Sequence, residues 1–287
     1  MRELTERAYF LLCLALGWLL RSARYSKARI VDQDGDPSTF REPQGRSGWS
    51  RSWSRGERQV RKSRVFYAPL LIWMSGPLVR LLDTGVRVLP QREWEERERL
   101  VYRSLYSTSI RVDVDGMLLL PCLAGETLAT LLENPELDES VRKKAIERAV
   151  AALAELHRVG FTHGDAMAEN VLVDLGAGVA HWFDFETIHE SRRPTVWRRA
   201  DDVRALLVTC LVRTVPERHA EILQLILDGY ADEGVTRHLA ASFASVLRRP
   251  LTFHLAQAPL SFRCFRGIAR LLRERVRSER RTTTTTS

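Results

Sequence analysis

His163-Gly164-Asp165-Ala166-Met167-Ala168-Glu169-Asn170, with Trp182-Phe183-Asp184-Phe185-Glu186 a short way beyond, is the stretch on which the fold turns. A carboxylate and an amide lie five positions apart on what reads as a loop. A second carboxylate follows at the end of a strand-turn-strand unit: Asn170 to Asp174, the turn Leu175-Gly176-Ala177-Gly178, then Val179 to Phe185. Phosphoryl transfer needs this inventory, because a base must orient the acceptor hydroxyl while oxygen ligands hold a magnesium ion against the phosphates. Asp165 is the candidate base, and Asn170 and Asp184 are the candidate metal ligands. His163 is expected to be a packed, hydrogen-bonded core histidine and not a base.

Outward from that stretch, Ser140 to Val159 has the apolar spacing of an amphipathic helix, and everything from Trp197 to Ser278 reads as helical. On the N-terminal side, Met117 to Leu120 reads as a buried strand after the Asp115-Gly116 turn, with Leu123 to Leu128 opening a helix. From Gln91 to Leu105 the residues Trp94, Glu98, Val101, Tyr102 and Leu105 share one helical face, which turns the Glu98 carboxylate inward. Gln59 to Tyr67 reads as a strand with Val60 and Lys62 on one side. Strands cluster first and helices last, so the class is α+β rather than alternating βαβ.

The central stretch resembles the catalytic and metal loops of the protein-kinase-like superfamily. Its His-Gly-Asp form is that of aminoglycoside phosphotransferases, small-molecule kinases and the bacterial lipopolysaccharide core (Kdo and heptose) kinases. The helix ending Leu156-His157-Arg158-Val159-Gly160 is also similar. Asp184-Phe185-Glu186 departs from the Asp-Phe-Gly of eukaryotic-type protein kinases, so a glycine-dependent activation switch is not expected. The resemblance implies a two-lobed fold, with a small β-containing lobe over residues 32–122 and a mostly helical lobe over 123–281. It also implies ATP and Mg²⁺ as cofactors.

Such a fold requires a first-lobe lysine on the phosphates, paired with a glutamate on the following helix. Only four lysines exist among the 44 basic residues, and Lys62 is the one on a strand ahead of the Glu98 helix. Glu98 is the expected partner and Glu95 the alternative. Their 36-residue separation exceeds that of most protein kinases, but the lipopolysaccharide core kinases carry a similar extra stretch, here Pro69 to Pro90. By the same resemblance, Gly45 and Gly48 would cradle phosphates, and Pro121 and Leu123 would flank the adenine on a hinge. Asp202 would tie down the catalytic-loop backbone, with Asp201 as an alternative N-cap of the helix opened by Arg199.

Composition sets the outer bounds. The 287 residues are 45% hydrophobic and 28% charged, which excludes wholesale disorder and collagen-like or disulfide-scaffold architectures. Four isolated cysteines, with no CxxC pair, argue against structural zinc and for a reducing, cytoplasmic compartment.

Basic residues exceed acidic ones by 44 to 36, for a net charge of +8. Ala8 to Leu20 is an apolar run followed by Arg21, Arg24, Lys27 and Arg29. It is too short to span a bilayer comfortably, so residues 1–31 read as a helix lying at a membrane interface or packed on the protein. Arg263 to Arg281 holds eight arginines and two glutamates interleaved with Phe262, Phe265, Ile268, Leu271 and Leu272, a basic amphipathic helix. Residues 282–287 read as a disordered tail.

The expectation is therefore an ATP- and Mg²⁺-dependent kinase acting on a hydroxyl, the acceptor a sugar of a lipopolysaccharide-type glycolipid at the inner face of the cytoplasmic membrane. A protein Ser/Thr kinase, a small-molecule phosphotransferase and a pseudokinase scaffold are the alternatives. The arginines come with no recognised nucleic-acid motif.

Overall fold

The computed structural model describes residues 26–32, 58–64, 85–113, 117–244 and 260–285. Gly45, Gly48 and residues 1–25 of the N-terminal segment lie outside the described residues. A four-stranded antiparallel sheet carries the lysine. Its strands are β1 (Ser26–Asp32), β2 (Arg58–Arg64), β4 (Arg111–Val112) and β5 (Leu118–Pro121), in the order β1-β2-β5-β4. Lys62 sits opposite Ala28 on one side and Leu118 on the other, near the middle of the sheet. The expected N-terminal helix through residue 31 is corrected here, since Ser26 onward is strand. Lys27-Ala28-Arg29-Ile30 alternates polar and apolar at period two, which suits a pleated strand.

Between β2 and β4 comes β3 (Val86–Val88), then α1 (Gln91–Tyr106), whose buried face is Trp94, Glu98, Val101 and Tyr102, as the spacing implies. A three-stranded sheet follows, with β6 (Glu126–Thr127), β7 (Val171–Asp174) and β8 (Val179–Trp182) in that order. Helix α2 (Leu128–Glu133) starts later than expected because Glu126 and Thr127 pair with Val173 and Leu172. The Thr127 hydroxyl then caps the helix by accepting from Thr130 N.

Helix α3 (Glu139–Arg158) buries Ala145, Ile146, Ala149, Val150, Leu153 and Leu156. It packs against α5 (His219–Tyr230) and the β7–β8 hairpin, where Trp182 Nε1 donates to the Ala149 carbonyl. Helix α4 (Thr195–Leu211) is buried from Ala200 to Leu211. Helices α6 (Glu233–Ser242) and α7 (Phe262–Thr285) close the far side. The helical state of α7 continues through Thr285, so the disordered tail expected from residue 282 is corrected. The preceding turns supply nucleated backbone hydrogen bonding that the modest propensity of threonine does not interrupt.

The sequence gives no hint of one small element. Strand β9 (Thr187–His189) pairs with β3, extended by Leu89 N donating to the Glu186 carbonyl and Glu190 N to the Gly85 carbonyl. Gly85 has φ +70°, and a Cβ there would come within 2.5 Å of the Trp197 ring. This pair ties the entry to α1 to the residues just after Asp184. Helix α1 is thereby latched to the second half of the site.

Candidate active site

Lys62 is buried, and its Nζ lies 2.9 Å from Glu98 Oε1 and 2.6 Å from Asp184 Oδ1. These contacts span 36 and 122 residues of sequence. The ammonium also sits 5.0 Å from the centroid of the Trp94 ring. Burial alone would lower its pKa, but the facing carboxylates of Asp184, Glu98 and Glu186 outweigh that and raise it. Lys62 is therefore a fixed cation.

Glu98 is fully buried. Its Oε1 accepts from Lys62, from Trp94 Nε1 at 3.1 Å and from Phe185 N at 3.2 Å, while Oε2 has no hydrogen-bond partner among the described residues. Through Phe185 N the glutamate fixes the backbone next to Asp184. Glu95, the alternative partner, instead accepts from Gln91 on an exposed part of α1. Asp184 has φ +68°, a left-handed conformation that aspartate tolerates better than most residues.

Opposite, Asn170 Nδ2 donates to the Asp165 carbonyl at 2.8 Å and to Asp165 Oδ2 at 3.1 Å. Both acceptors are oxygens, so the amide must present its nitrogen to them, which leaves the Asn170 oxygen as an available ligand. Asp165 Oδ1 is buried without a hydrogen-bond partner among the described residues. Burial, followed by the charges of Asp184, Glu186 and Glu169, pushes the Asp165 carboxyl well above its ordinary range.

The loop is held from below. Asp202 accepts from His163 N at 2.7 Å, Gly164 N at 2.8 Å and His157 Nε2 at 2.9 Å. Burial would raise the Asp202 carboxyl, yet His189 and His157 hold it below its ordinary range. Gly164 has φ +83°, and a Cβ there would press on Thr187 and Ile188 of β9 at 3.1 to 3.3 Å. Glycine in His-Gly-Asp is thus required by both the turn and the neighbouring strand.

His163 is wholly buried, with Nε2 2.9 Å from the Phe183 carbonyl, and burial pulls its pKa down to about 4. A base role is excluded by that enclosure. Asp201 is not an N-cap, because α4 starts at Thr195; it is buried and pairs with Arg204 and His189.

Pro121 ends β5 opposite Gln59, and Leu123 follows half-buried against the core. Pro121 thus closes the strand paired with the Lys62 strand, and Leu123 lies two residues past that strand end.

Residues 118–230 match the Lipopolysaccharide kinase (Kdo/WaaP) family. The family is protein-kinase-like, and the match indicates a kinase, an enzyme that transfers a phosphoryl group. Comparison with curated proteins finds no match. In this kinase the matched stretch contains Asp165, Asn170, Asp184 and Asp202 but neither Lys62 nor Glu98. The family match therefore does not bear on the lysine side of the site, which rests on the sequence reading and on the Lys62 contacts.

Three contributors escape a reading of the sequence. Arg97 on α1 donates to the Thr162 carbonyl, joining α1 to the catalytic loop, and burial lowers its pKa to about 10. Trp94 braces Glu98, a link that the i, i+4 spacing could have flagged. Glu186 adds charge near both Lys62 and Asp165.

The polar groups fit a magnesium ion. Its candidate ligands are an amide oxygen and a carboxylate, hard donors, and among the described residues no group of three or more His, Cys, Asp or Glu gathers as a metal cluster. Mg²⁺ accepts such sparse protein ligation, completing its shell from water and phosphates.

Proposed function

We propose that this kinase uses ATP and Mg²⁺ to phosphorylate a hydroxyl on a sugar of a lipopolysaccharide-type glycolipid at the cytoplasmic face of the membrane. The observation that carries the reading is Lys62 bridging Glu98 and Asp184 across from the Asp165–Asn170 pair. In this reading the β1-β2-β5-β4 sheet with α1 is the small lobe, the helical remainder is the large one, and nucleotide lies between them against Pro121 and Leu123. The family match supports the sugar acceptor.

Asp165 would accept a hydrogen bond from the acceptor hydroxyl on Oδ1, the oxygen that has no partner among the described residues, and hold its proton as the phosphoryl group transfers. Asn170 fixes the other carboxylate oxygen, which orients the first. Lys62, held cationic by Glu98 and Asp184, would face the ATP phosphates. Asp184 and the Asn170 oxygen would hold Mg²⁺, which when bound neutralises phosphate charge. Asp202 keeps the loop backbone in place, so little reorganisation is left for the reacting step.

The test is phosphate transfer from labelled ATP to lipopolysaccharide core oligosaccharide, run beside an aminoglycoside and a generic protein substrate. Incorporation into the core sugar that needs Mg²⁺ and Asp165 is expected. Labelling of the protein or aminoglycoside in its place would reassign the acceptor. No labelling, together with no ATP-induced thermal shift, would leave a scaffold.

A further inference from the structure

Helix α7 carries two faces with different partners. Phe265, Ile268, Ala269 and Leu272 are buried against the protein, Phe265 stacking on Phe243 at 5.7 Å. The apolar side of this helix is therefore mostly covered, with Phe262 and Leu271 partly buried against the same core. The outward side holds Arg263, Arg266, Arg270, Arg273 and Arg277, all exposed. At 100° per residue these five fall within a sector of about 80°, a straight stripe about 21 Å long.

Beside the stripe, α6 and α7 frame a groove of about 330 Å³ lined by Arg237, Ala240, Ala241, Ala244, Arg273, Val276 and Arg277. Three guanidinium groups thus surround a floor of small apolar side chains. The carboxylates nearby are few: Glu233 lies 3.3 Å from Arg237, and Glu274 lies 3.9 Å from Arg270. Arg273 donates its Nε to the Ala269 carbonyl. Among the described residues Arg263, Arg266, Arg273 and Arg277 make no ion pair.

We propose that this stripe and groove dock the protein on a bilayer surface bearing anionic phospholipid, lipid phosphates meeting the guanidinium groups and the first ester carbons resting on the alanine floor. Six arginines face two carboxylates, so the complement is a dense anionic plane. The apolar floor favours an amphiphile over a nucleic acid, and the stripe bears no aromatic on which a base could stack. Because the apolar face of α7 is already used, attachment is electrostatic and screened by salt. The inference adds a membrane partner to the kinase reading without resting on turnover.

The full chain should float with phosphatidylcholine vesicles containing phosphatidylglycerol and not with phosphatidylcholine alone. Raising salt to about 0.5 M, where the screening length is about 4 Å, should release it. Arg266→Gln, Arg273→Gln and Arg277→Gln together should lower vesicle partition about a hundredfold at low salt, while the ATP-induced thermal shift stays unchanged. Lysine at the same three positions should keep most of the binding. Undiminished flotation of the glutamine variant, equal binding to phosphatidylcholine alone, or loss with lysine as great as with glutamine would each overturn the proposal. Tighter binding to random duplex DNA than to the anionic vesicles would overturn it in favour of a nucleic-acid surface.

Discussion

The catalytic loop and the lysine side meet at Asp184, yet they are held by different kinds of bond. The loop rests on neutral and charge-assisted hydrogen bonds between near neighbours in the fold: Asp202 to two loop amides, and Asn170 to Asp165. The lysine side rests on one buried cation between two carboxylates from distant segments, with Glu98 fully enclosed. Loss of the part-buried Asp165–Asn170 contact leaves polar groups that neighbours or water can partly satisfy. Loss of the lysine strands a buried carboxylate, which is far more expensive. Asp165 should therefore show its importance mainly in rate, whereas the lysine side, like the buried Asp202 support beneath the loop, should show its importance in rate and stability together.

The largest expected effect tests the first half of that contrast. Asp165→Asn should reduce turnover about a thousandfold, the scale of a lost general base, while urea stability and ATP-induced thermal shift remain close to the parent. An active Asp165→Asn enzyme would remove the catalytic assignment. The second half predicts a different pattern for Lys62→Met, which should cut turnover strongly and destabilise the fold by about 4 kcal/mol through the stranded Glu98. Adding Glu98→Gln should restore much of the stability but none of the activity. Equal urea midpoints for the single and double variants would show that the pair is not coupled.

The same contrast explains what the sequence reveals. Asp165, Asn170 and Asp184 lie within twenty residues of one another, so their spacing and the hairpin between them are visible as a local pattern. The buried face of α1 is likewise a helical periodicity, and Lys62 emerges because the chain has so few lysines. The β3–β9 pair is invisible: each strand is three residues long, too short for alternation to register, and the partners lie about a hundred residues apart. Arg97 is hidden for a related reason, since an arginine on a helix reads as solvated until the Thr162 carbonyl is seen beneath it. Asp201 misleads because α4 begins six residues earlier, where Pro194 opens the helix without a side-chain cap.

A smaller effect separates holding the loop from performing chemistry. Asp202→Asn replaces a carboxylate that accepts three hydrogen bonds with an amide that has one acceptor oxygen. A loss of about 3 kcal/mol is expected, together with lower turnover and little change in the apparent ATP affinity. If the variant loses ATP affinity as strongly as Lys62→Met, then Asp202 shapes the nucleotide side as well, and the division between the two halves fails.

The smallest effect concerns His163, buried between the loop and the Asp184 strand. Its imidazole titrates at about 4 in the folded chain, against an ordinary value near 6.5. Between those limits the unfolded chain binds a proton that the folded chain refuses, so stability rises with pH across the window. The contribution is fully present above about pH 6.5 and is lost as pH falls toward 4, amounting to about 2 kcal/mol by pH 5. His163→Gln removes the titration while keeping a donor for the Phe183 carbonyl. Urea midpoints from pH 7 to 5 should therefore fall more steeply for the parent than for the variant, although the variant starts lower because of imperfect packing. Carboxylates common to both chains cancel in the difference, which isolates the imidazole. Parallel slopes would mean that the loop opens readily enough to protonate His163 in place, and the rigid platform inferred for the catalytic half would have to be replaced by a mobile one.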